Sequence, residues 1–187
     1  MITETQLYSL VIAAIQAGLV AFGIPVPPAA NGVVVKQRYQ PTTQGTPSGP
    51  AIFIHTEGPQ FYGYPSRKDV FDSVSGAMVH TESQVCIATF QITGAAIQDQ
   101  TNPAAVSVGD LVKAAALILN SDAARISLRS SGLAVERITQ IRKTHYKDDK
   151  SRFEEDPTFD CSFVYTEVNT SANPATDKVT VTLYPIN

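Results

Sequence analysis

A chain of 187 residues with 43% hydrophobic and 17% charged side chains is long enough to bury roughly 70% of its unfolded surface, so it needs no disulfide or metal staple. Its net charge of -3 argues against a sequence-independent nucleic-acid binder, whose affinity comes from cations neutralising many phosphates. The organisation expected is one domain over residues 1–187.

Thr3-Glu4-Thr5-Gln6 fits a capping box, and a helix is predicted from there to about Phe22. Leu7, Leu10, Val11, Ala14, Gly18 and Ala21 form one stripe, while Ile12, Ile15, Leu19 and Val20 occupy the other side. A helix apolar nearly all round must be covered on more than one face. It is either a central core helix or one shared with a neighbouring subunit, and in the second case Ile12, Ile15 and Leu19 are the interface residues. The apolar run Leu7 to Ala30 is not expected to enter a membrane. Glu4 precedes it, no Lys or Arg occurs before Lys36, and Gln16, Pro25, Pro27 and Pro28 interrupt it. The chain therefore reads as assembled in a cytosol.

Strands are predicted over 33–39 and 51–56, joined by a Pro-, Gly- and Thr-rich mobile hairpin loop at 40–50. Residues 58–76 carry Phe61, Tyr62, Tyr64 and Phe71 among Pro65, Arg67, Lys68 and Asp69, which points to a packed, irregular surface loop. From Met78 to Thr93 the chain alternates, with Cys86, Ala88, Phe90 and Ile92 on one side, as a long strand near the sheet centre would. Ser107-Val108-Gly109-Asp110 opens a second helix with Leu111, Ala114, Ala115, Ile118 and Leu119 on one face. Asn120-Ser121-Asp122 caps a short third helix, which Gly132 ends. Further strands are predicted over 133–144, 158–168 and 178–184. The fold class is α+β: a mostly antiparallel sheet with two main helices packed on one face.

Chemistry is harder to find. No G-x-S-x-G, HExxH or P-loop arrangement occurs. His55, His80 and His145 stand alone, and pairing Cys86 with His55 or His80 as thiol and base has nothing specific to support it. Cys86 and Cys161 sit in apolar alternating segments without zinc spacing and read as core filler. Asp148, Asp149, Glu154, Glu155 and Asp156 are mixed with Lys147, Lys150 and Arg152, which makes a self-neutralising hairpin tip rather than a metal site. No catalytic residue, cofactor or metal is expected, and the chain is read as not an enzyme. In the densest basic stretch, alternation puts Arg137, Lys143 and His145 on one strand face and Arg142 on the other. That face is either solvated or a channel wall facing phosphate.

The segment Ser121 to Gly132, the strand Leu133 to Lys143, the charged turn ending Arg152-Phe153-Glu154-Glu155, and Phe159-Asp160-Cys161-Ser162-Phe163-Val164-Tyr165 resemble the neck and tail terminator proteins of contractile-tailed phages. With the first helix and the long strand, the similarity runs through most of the chain in order. The resemblance implies a non-enzymatic virion subunit forming a homo-oligomeric ring, a hexamer, at the head-proximal end of the tail tube. Its partners would be tail tube and sheath proteins and the head-tail connector, with DNA passing through the lumen. The loops at 40–50 and 58–76 depart from the pattern and leave an adjacent collar or head-completion protein as the alternative, ahead of a phage-encoded enzyme or a monomeric binding module.

Overall fold

The computed structural model describes residues 2–29, 32–37, 49–96, 106–147 and 153–174. Helix α1 (Glu4–Ala21) starts at a reciprocal cap. The Thr3 hydroxyl accepts from the Gln6 N–H at 3.2 Å, and the Gln6 side-chain oxygen accepts from the Thr3 N–H at 2.9 Å. The row α1 buries is Leu7, Val11, Ile15 and Leu19, four residues apart, with Tyr8 beside it. This corrects the assignment of Ile15 and Leu19 to a subunit interface. Both are 0% exposed within the chain itself, so their second cover is intramolecular. Ile12 lies at the flank of the row, partly buried against the same core. Ala13, Ala17, Val20 and Ala21 face outward instead. By length and apolar composition α1 would also span a bilayer; here its buried row is one wall of a protein core.

Helix α2 (Val108–Asn120) repeats the capping device, with the Ser107 hydroxyl accepting from the Asp110 N–H at 3.1 Å. It meets α1 at Gly18, where an added Cβ would fall well inside contact distance of the Ile118 side chain. Gly18→Ala is therefore expected to cost about 1–3 kcal/mol through overpacking, despite the roughly 1 kcal/mol that alanine gains over glycine in a helix. Thermal unfolding of Gly18→Ala, Ile118→Ala and the double variant checks this. The double variant should lose less than the two singles together, and additive losses would place the glycine's role elsewhere. Helix α3 (Asp122–Ser130) follows after Ser121, whose hydroxyl accepts from the Ala124 N–H, and it ends at Gly132 with φ 81°.

Among the described residues the sheet has six strands: β1 (Val34–Gln37), β2 (Ala51–Asp72), β3 (Ala77–Ala95), β4 (Ala134–Val135), β5 (Arg142–Lys147) and β6 (Phe153–Pro174). Their order is β1-β2-β3-β6-β4, with β5 also on β6. Among these strands all pairings are antiparallel except β1 with β2, which pair parallel and so do not form the hairpin expected between them. The helices pack on one face. Ile52 and Ile54 from β2, Cys86, Ala88, Phe90 and Ile92 from β3, and Phe159, Cys161, Phe163 and Tyr165 from β6 form one core with the buried sides of α1 and α2. Phe90 sits edge-on between Tyr8 and Phe163, at ring centroid distances of 5.2 and 5.4 Å.

Two predicted elements change. The strand expected over 133–144 is two short strands separated by 136–141: the Glu136 N–H still bonds the Ser162 carbonyl on β6, but Asn120 then bonds both backbone groups of Ile138 (3.0 Å each) and ties that residue to α2. Residues 58–76 form a β-hairpin, not a packed irregular loop: β2 and β3 stay paired out to Asp72 and Ala77, and β6 follows alongside to Pro174. The loop 40–48, most of the turn-rich stretch 94–106 and the strand predicted over 178–184 lie outside the described residues.

Candidate functional site

The outer part of the sheet is a three-stranded arm made from the ends of β2, β3 and β6. Gly58 (φ 93°) and Gly63 (φ 70°) accompany the two register shifts in β2, between Thr56 and Pro59 and between Tyr62 and Ser66. These bulges present the aromatic residues outward. Phe61 is 73% exposed, Tyr62 69%, Tyr64 97% and Phe71 55%. The tip turn is closed by Asp72, which accepts from the Val74 N–H at 3.0 Å and the Ser75 hydroxyl at 2.6 Å. Those donors, the Ser75 hydroxyl first, hold the Asp72 carboxyl below its usual range. Val74 stands 95% exposed beside it.

A shallow depression on the arm is lined by Arg67, Asp69, His80 and Glu82, and internal pairs occupy it. Arg67 Nε lies 2.9 Å from Glu82, and His80 Nδ1 lies 2.7 Å from Asp69. Pairs this exposed contribute at most about 1 kcal/mol each. On the sheet face away from the helices, Arg142 bonds Asp160 at 2.7 Å, and the Lys36 ammonium sits 5.2 Å from the Phe53 ring centroid.

The nominal thiol and base combinations are not brought together. His55 is opposite Gln91 in register, five residues along β3 from Cys86 and so roughly 17 Å away. His80 is six residues along the other way, roughly 20 Å distant. Burial raises the Cys86 thiol and pushes Cys161 up to about 12, which keeps both protonated and poorly nucleophilic. Among the described residues no group of three or more His, Cys, Asp or Glu side chains is placed to hold a metal.

The three basic residues singled out from the sequence separate. Arg137 lies exposed in the unpaired stretch before β5, so strand alternation does not link it to Lys143. The Lys143 ammonium sits over Gly109 at the start of α2, where the hydrogen bonds from Ser107 hold the Asp110 carboxyl low and the Lys113 and Lys143 charges add to them. His145 pairs with Glu155 in the backbone register of β5 and β6. Sequence reasoning had the arm's aromatic residues in hand but not their exposure. It also missed Tyr8, whose hydroxyl oxygen accepts from the Thr56 N–H at 2.9 Å and ties α1 to β2.

Comparison with curated proteins finds no match. Among solved structures, the sheath/tube terminator of an extracellular contractile injection system, PVC, in its extended state aligns with 96% of this chain at 13% identity and a TM-score of 0.46. This chain spans 62% of that protein's chain, under two thirds of it. The family model of the E217 gateway protein gp29 matches residues 6–175, from the first turn of α1 to just past the end of β6. The chain therefore belongs to the E217 gateway protein gp29 family.

Proposed function

We propose that the chain is a non-enzymatic subunit that closes into a ring, a hexamer, at the head-proximal end of the tail tube. There it terminates the tube and joins it to the head-tail connector. Its neighbours in this reading are tail tube and sheath proteins on one side and connector proteins on the other, with the genome passing through the lumen. The whole chain acts as one domain without a cofactor, is assembled in the host cytoplasm and resides in the virion. Membership of a phage gateway family supports the location. The observation that carries the reading is the arm, whose Phe61, Tyr62, Tyr64 and Phe71 are exposed to a degree that a lone soluble chain has no reason to maintain. An assembling subunit has that reason, because a neighbour covers them.

Electron microscopy of the purified full chain, alone and mixed with isolated tail tubes, tests the proposal. Closed rings that cap one end of the tube are expected. A chain that stays monomeric and decorates neither end overturns it.

A further inference from the structure

The arm and helix α3 carry unlike, complementary surfaces. The helices cover the base of the sheet only, and beyond them the stretch Ala77–Val85 of β3 continues for roughly 30 Å. A compact domain of this length has a radius of gyration of about 16 Å. The hairpin is therefore a lever that carries its tip well clear of its own helices. At that tip Val74 is 95% exposed on a turn fixed by Asp72, with Phe71 55% exposed next to it. Acid predominates along the hairpin, where Glu57, Asp69, Asp72 and Glu82 outnumber Arg67 and Lys68.

The opposite surface is on α3. Ala124 and Leu128 anchor this helix in the core, which turns Ile126 outward at 69% exposure. Arg125 precedes Ile126 and Arg129 lies one turn on, so an apolar side chain is flanked by two guanidinium groups. Neither arginine has an ion-pair partner among the described residues. An acidic apolar tip and a basic apolar helix repel their own kind and attract each other.

We infer that the arm tip of one copy docks on α3 of the next copy, with Val74 and Phe71 against Ile126 and Asp72 facing Arg125 and Arg129. The occupant is a second copy of this chain because both halves of the contact are present on every copy. Unlike patches give a head-to-tail contact, the kind that generates rings, whereas a two-fold dimer needs one patch to fit itself. The inference rests on the ring reading above and supplies its contact.

Disulfide trapping in the full chain tests it. Cys86 and Cys161 are 1% and 2% exposed, so introduced thiols react without interference. The double variant Val74→Cys/Ile126→Cys, gently oxidised, is expected to give a ladder of linked multimers on a non-reducing gel. Either single variant should stay unlinked, because unlike patches meet and a lone introduced thiol then faces no second one. Arg125→Glu/Arg129→Glu should raise the concentration needed for assembly by about tenfold or more at low salt, with the circular dichroism spectrum unchanged. Mass measurement of the wild type separates the two levels of the argument. An oligomeric wild type whose double-cysteine variant gives no ladder overturns the arm-to-α3 contact and leaves the ring standing. A wild type that is monomeric at every concentration and gives no ladder overturns both.

Discussion

Ile15→Asp is expected to abolish the folded state. Ile15 is fully buried in the middle of the α1 row that faces the core, with Val11 and Leu19 one turn away on either side. Removing the aliphatic side chain forfeits roughly 1.5–3 kcal/mol of burial. The carboxylate that replaces it is left without a cation or a second hydrogen-bonding group, at a further cost of several kcal/mol. Together these match the 5–15 kcal/mol that holds a typical domain folded. Ala13→Asp, one turn before Gln16 and Ala17 on the outward side of the same helix, should change stability by no more than about 0.5 kcal/mol. Far-UV circular dichroism and size determination of both variants read the result. A folded, monomeric Ile15→Asp chain would mean that the side chain lies at a subunit contact and would restore the interface assignment.

That pair of variants also marks where the sequence stops being informative. Both capping boxes and the alternation of β3 were legible because each depends on residues within a few positions of one another. The rotation of α1 was not. A helix with apolar side chains around most of its circumference carries almost no phase information, so the row at 7, 11, 15 and 19 could not be told from the stripe through 10, 14, 18 and 21. The arm was hidden for a different reason. Gly58, Pro59, Gly63 and Pro65 are loop signals in any local reading, and the two bulges interrupt the alternation that would identify a strand. What keeps the segment extended is its pairing with β3, which in turn pairs with β6 some ninety residues later in the chain. The side of the sheet taken by Lys143 likewise depends on where α2 begins, a tertiary fact.

Phe90→Ala is expected to cost about 3–5 kcal/mol, the largest loss from any simple truncation in the core. The ring is fully buried at the centre of the sheet and makes edge-to-face contacts with Tyr8 on α1 and Phe163 on β6. Truncation therefore leaves a void between the helix layer and the sheet that neither neighbour can fill. Tyr8 is held by its hydrogen bond to the Thr56 N–H, and Phe163 by the register of β6 with β3. Phe90→Leu keeps much of the volume and should lose about half as much, which separates the void from the loss of aromatic contact. Equilibrium denaturation with urea measures both variants. The midpoint should fall while the slope stays constant, because the surface exposed on unfolding is nearly the same. Phe90 is also distant from the arm tip and from Ile126, so the fraction of Phe90→Ala that remains folded should assemble as the wild type does. A loss below about 1 kcal/mol would mean that the helix layer collapses onto the vacated site, and the core would then be far more compliant than its fixed neighbours imply.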